Sequence, residues 1–187
     1  TFEQADGVRP FDLAVEQMFG SSPKTVMVDK TVERTYSDKK DIDPAQIETY
    51  LKNLLPLEAV ACKDWLTNKV DRCVSGRVAR QQCQGELQLP LSDCGAVALD
   101  YRGEKGIATA LGHAPQAALA NPAAGSVLAV SEALTNLVWA PLADGLDSVS
   151  LSANWMWPCR SQEGEDARLY TAVKALSDFC CALQINV

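Results

Sequence analysis

Glu132 and Asn136 lie four residues apart in the run Ala129-Val-Ser-Glu-Ala-Leu-Thr-Asn136. In a helix, that spacing brings two side chains onto one face, with Cβ atoms roughly 5–6 Å apart. Gly125 and Ala129 fall on the same line one and two turns earlier, leaving room for something to approach the backbone closely. The opposite side carries Val127, Val130, Leu134, Leu137 and Val138. Two oxygen donors with neither imidazole nor thiol beside them suit a hard cation, Mg²⁺ before Zn²⁺. The same pattern also describes a plain solvated helix face, and by itself it favours that reading. Asp93 stands after an apolar run, where an aspartate is more often a turn residue than a ligand.

Other chemistry is thinly represented. His113 is the sole histidine, so no site needing two imidazoles can form, and no G-x-S-x-G elbow accompanies it. Its Gly112-His113-Ala114-Pro115 setting reads as a turn. Glu163, Glu165 and Asp166 form an acidic cluster, but carboxylates are favoured in a first helical turn on electrostatic grounds alone. Neither G-x-x-x-x-G-K-[ST] nor G-x-G-x-x-G occurs. The tryptophans at 65, 139, 155 and 157 read as core and interface bulk rather than a base-stacking platform. The seven cysteines are irregularly spaced without any C-x-x-C, which argues against zinc and thioredoxin-type sites. They read as reduced, mostly buried thiols of a cytosolic protein.

These candidates must be positioned by one ordinary domain. The chain has 187 residues, 47% hydrophobic and 22% charged, which suits a packed core rather than a disordered or fibrous chain. A net charge of −7 and a pI near 4.7 argue against nucleic acid as a partner. The longest apolar runs fall far short of the roughly 20 residues a membrane-spanning helix needs, so no membrane is expected. Glu3, Asp6 and Arg9 stand where a signal peptide would be apolar.

Residues 1–42 read as an extended arm with one strand at Thr25–Tyr36. Asp43-Pro44 opens a helix through Ile47, Leu51, Leu54 and Leu55, which Pro56 stops. Strands follow at Leu87–Leu91, Gly95–Tyr101 and Gly106–Leu111, the last two joined as a hairpin around Gly103. A helix runs from Asn121-Pro122 to about Trp139, then a strand at Ser148–Asn154. A final helix from Gly164-Glu165-Asp166 carries Leu169, Ala172, Val173, Leu176, Phe179, Cys180 and Leu183 on one stripe. The fold class is α+β, a mixed, mostly antiparallel sheet with helices on one face. Gln184–Val187 reads as the opening of another strand, so we expect a piece of a longer protein.

Five segments in order carry a family resemblance: Val70-Asp-Arg-Cys-Val-Ser-Gly-Arg-Val-Ala-Arg-Gln-Gln-Cys-Gln-Gly85, Leu89-Pro-Leu-Ser-Asp93, Ser131-Glu-Ala-Leu-Thr-Asn136, Leu151-Ser-Ala-Asn-Trp-Met-Trp157 and Gly164-Glu-Asp-Ala-Arg-Leu-Tyr170. Together they resemble the large, single-chain form of phosphoribosylformylglycinamidine synthase. That family uses ATP and glutamine to convert formylglycinamide ribonucleotide to formylglycinamidine ribonucleotide in purine biosynthesis. It couples a glutaminase domain to two similar synthetase halves, each related to aminoimidazole ribonucleotide synthetase.

The resemblance implies that residues 43–187 are the amino-terminal domain of the second half, with 1–42 as the tail of the preceding domain. It implies a sheet pairing with that of the first half, and an auxiliary ATP/ADP–Mg²⁺ site. Asp93, Glu132 and Asn136 fall on the family's magnesium positions, and Lys63 and Ser92 on nucleotide-contacting ones. Cys73 and Ser75 depart from the usual pattern, and the family's following Gly-Lys-Asp-Ser segment is absent. No catalytic residue is implied, and the isolated piece is expected to be inactive and to pair as a homodimer. The alternative is a non-catalytic interaction domain on the same scaffold. The retained Asp93, Glu132 and Asn136 speak for the enzyme.

Overall fold

The computed structural model describes residues 2–20, 24–37, 41–63, 76–81, 84–88, 93–159 and 162–187. Near the start, Phe2 and Phe11 pair in a single antiparallel bridge and stack edge to face, ahead of a five-residue helix α1 (Val15–Phe19). Asp43 caps a 3₁₀ turn (Pro44–Gln46) by accepting the Ala45 N–H at 2.9 Å. The chain continues as α2 (Ile47–Leu54), and Pro56, which lacks the N–H a further helical bond needs, lies just beyond its end.

Three strands form one antiparallel sheet in the order β1 (Val78–Arg80), β2 (Cys94–Ala98) and β3 (Gly106–Ala110). The expected hairpin is β2–β3, with Cys94 opposite Ala110 and Val97 opposite Ile107. In its connection the Asp100 carboxylate accepts the N–H of Arg102 at 2.7 Å and that of Gly103. Alternation sorts the hairpin into two unlike faces. Cys94, Ala96, Ala98, Ala108 and Ala110 make the better covered face, and β3 packs against helix α4 (Pro122–Leu137). Val97, Leu99, Ile107 and Leu111 lie exposed, with Tyr101 beyond them.

A helix not expected from the sequence, α3 (Pro115–Ala120), follows the sheet and turns straight into α4. Asn121 ends the first and caps the second, accepting the Ala124 N–H at 3.0 Å, with Pro122 in the first turn. The last helix, α5 (Glu165–Ala182), packs along α4. Val130, Leu176, Cys180 and Ile185 make the buried cluster between them. Leu134, Val149, Leu151, Ala153, Trp155, Phe179 and Leu183 pack against it.

Several expectations need correction. Ser148–Asn154 is not a strand: it is joined to the chain end by one parallel bridge, Ser150 to Asn186, and by the Leu151 N–H on the Asn186 carbonyl at 2.8 Å. Apolar alternation there reflects packing on the α4–α5 core, and it gave the same signal a ladder would. Thr25–Tyr36 forms no strand either; it has no regular secondary structure and is held by side chains instead. Leu87 lies in a turn, and 89–91 of the expected first strand are outside the described residues. Trp139 is 81% exposed rather than core. Of the five described cysteines, Cys94 and Cys180 are buried while Cys62 and Cys181 are exposed.

Candidate functional site

The line of Gly125, Ala129, Glu132 and Asn136 on α4 is not simply a solvated face. It receives α3 and the β3–α3 loop. A Cβ at Gly125 would overlap Ala118, and one at Gly112 would overlap the Ala129 carbonyl and lie 2.9 Å from the Ala133 Cβ. Gly125 and Gly112 therefore let two backbones touch. That contact brings Leu111, Gly112 and His113 against the carboxylate and amide of α4.

The loop ties three predicted residues together. His113 donates its backbone N–H to Glu132 Oε2 at 3.3 Å, and Asn136 donates Nδ2 to the Leu111 carbonyl at 2.8 Å. The Leu111 N–H in turn donates to the Asp93 carbonyl at 2.9 Å. The Asp93 main chain and the Asn136 side chain thus bracket a single residue, Leu111, and Glu132 holds the residue next but one, His113. With Nδ2 spent on a carbonyl, Asn136 keeps Oδ1, its one acceptor, for another partner. Glu132 keeps Oε1 beyond the N–H bond. Asp93 meets the loop through its backbone carbonyl, so the side-chain oxygens brought together here are one from the Glu132 carboxylate and one from the Asn136 amide, an all-oxygen pair. Such a pair fits a hard divalent cation that keeps several waters or phosphate oxygens.

Lys63 lies in the turn after α2, where its ammonium donates to the carbonyls of Glu58 and Ala61, the latter at 3.0 Å. Ser92 lies outside the described residues. The other sequence candidates are absorbed into structure. Glu165 pairs with Arg34 and Arg168, and Glu163 with Lys30 at 3.3 Å. Asp166 hydrogen-bonds the Cys159 thiol, whose pKa is pushed up by burial first and by that carboxylate second. None of these three carboxylates is a free acid/base group. The Leu111–His113 loop is what sequence reasoning missed. Its signal was Gly112, a glycine between a strand and Pro115 facing small residues on the next helix.

Residues 62–187 match the protein family described as the FGAR-AT PurM_N-like domain. The chain belongs to that family. Its relatives include the "Phosphoribosylformylglycinamidine synthase" of Drosophila melanogaster, 38% identical over 96% of this chain, and that of Homo sapiens, 41% identical over 95%. A "Probable phosphoribosylformylglycinamidine synthase, chloroplastic/mitochondrial" of Arabidopsis thaliana is 40% identical over 94%. The chain spans about 13% of the length of the first two. It corresponds to one part of a much larger polypeptide.

Proposed function

We propose that this chain is a nucleotide–Mg²⁺ domain within a phosphoribosylformylglycinamidine synthase, the ATP- and glutamine-dependent ligase of purine biosynthesis. In this reading the remaining synthetase half and the glutaminase domain are its partners, and the cytosol is its compartment. The observation that supports the site is the convergence of the Glu132 and Asn136 side chains, with the Asp93 backbone carbonyl beside them, on Leu111–His113. Those three residues would hold Mg²⁺, which when bound would offset the negative charge of the nucleotide's phosphates. Lys63 and Ser92 are proposed to contact the nucleotide, Lys63 as a compact point charge.

The chain's own residues do the positioning. Glu132 anchors the His113 amide and presents its second oxygen; Asn136 fixes the Leu111 carbonyl and presents Oδ1. Both ligands are thereby oriented before any cation arrives, which lowers the ordering cost of binding. Turnover would draw on parts of the relatives that these 187 residues do not span, so this stretch by itself is proposed to be inactive.

The test is calorimetry of MgADP and MgATP binding to the chain. Glu132→Gln keeps the size of the side chain and removes its charge. It should weaken binding at least tenfold, a loss of about 1.4 kcal/mol, while the His113 amide shift in NMR stays close to wild type. Undiminished affinity in Glu132→Gln and in Asn136→Ala would overturn the site.

A further inference from the structure

Residues 29–36 lie outside the matched family region, yet they make a dense set of contacts with the ends of two helices. Asp29 Oδ2 accepts the Ala167 N–H at 3.2 Å in the first turn of α5, and Lys30 reaches Glu163 at 3.3 Å. Val32 covers Gly164, where φ is +82° and a Cβ would lie 2.9 Å from the valine methyl. Arg34 pairs with Glu165, which is 4% exposed, and the same carboxylate oxygen lies 3.4 Å from Arg168 Nε. Arg168 in turn donates Nη2 to the carbonyls of Ala118 and Leu119, at 2.9 and 2.8 Å. Tyr36 donates its hydroxyl to the Leu119 carbonyl at 2.7 Å, with Ala120 at 3.2 Å.

The last carbonyls of a helix have no partner within it, and a short helix depends on outside donors for them. For α3 those donors are Arg168 and Tyr36. A buried carboxylate is also costly unless its partners stay in place. Asp29 fits the same picture: its pKa is held below the ordinary carboxylate value, first by the N–H of Lys30 and then by that of Ala167.

We infer that residues 29–36 form a strap belonging to this folded unit, which clamps the end of α3 to the start of α5 and steadies the Leu111–His113 loop that leads into α3. The strap is a structural device of the chain, and it stands whether or not the loop holds a cation.

Amide hydrogen exchange on the full chain tests it. Tyr36→Phe removes one hydroxyl and leaves the ring, so the variant should fold. Exchange at Ala117–Asn121 should rise roughly tenfold, as expected for local opening, with Leu176–Cys180 unchanged. Arg34→Ala should do the same and also speed exchange at Ala167–Tyr170. Lys30→Ala, which removes only an exposed ion pair, should leave the pattern as in wild type. If Arg34→Ala does not fold, Tyr36→Phe alone decides. Unchanged exchange in α3, or a uniform rise across α4 and α5 as well, would overturn the strap.

Discussion

Asp100 illustrates how a single side chain fixes local geometry. It accepts N–H groups from both Gly103 and Arg102, and these donors, Gly103 first, hold its pKa below 3.8, the ordinary value. A depressed carboxyl contributes its stabilisation fully above the ordinary value and loses it as pH falls through the lowered one. The β2–β3 turn should therefore stay closed down to the ordinary carboxylate range and loosen only below it. Titrating the Asp100 carboxyl carbon by NMR checks this: a midpoint at or above 3.8 contradicts the two bonds. Asp100→Asn, an acceptor without a titration, should keep the turn and abolish its acid sensitivity.

Helices show most clearly what was legible in the sequence. Asn121-Pro122 and Asp43-Pro44 marked real starts because a cap acts through one side chain on a nearby N–H. The stripe Ala172, Leu176 and Cys180 marked the buried side of α5. Glu132 and Asn136 could be paired from spacing alone, but the loop they hold could not. That loop is placed by the close approach of Gly112 and Gly125, a tertiary fact with no periodicity. Thr25–Tyr36 misled for a related reason: β-branched residues give the same strand signal whether the neighbour is a strand or two helix ends. The α3–α4 contact yields a prediction of its own. Gly125→Ala should gain about 1 kcal/mol in helix propensity and lose more by forcing Ala118 away. A net destabilisation of roughly 1–3 kcal/mol in urea is expected. An unchanged or higher midpoint would refute the close contact.

At the scale of the whole molecule, the sheet's outer face stands out, with Val97, Leu99, Ile107 and Leu111 exposed beside Tyr101. Contiguous apolar surface of this kind marks an interface. Under the proposed function, that face would be covered by the sheet of the other synthetase half. In the isolated chain, the nearest substitute is a second copy across a two-fold axis. Sedimentation at micromolar concentration should give a dimer that Val97→Asp together with Ile107→Asp dissociates. A clean 20.2 kDa monomer for the wild type would show that the face needs no cover. Among the described residues, no helix is long and apolar enough to cross a membrane.

The strap also imposes an order of events during synthesis. Arg34 and Glu165 are 131 residues apart in the chain. At ribosomal speeds of about 5–20 residues per second, the arm leaves the ribosome roughly 7–26 seconds before the helix that receives it. During that interval Val26, Met27 and Val28, all exposed even in the finished fold, have no receptor to dock on. The sheet and α4 are complete well before α5 begins, so they can fold first, with the strap closing last. A ribosome paused anywhere before residue 165 would carry a domain whose first segment is still loose.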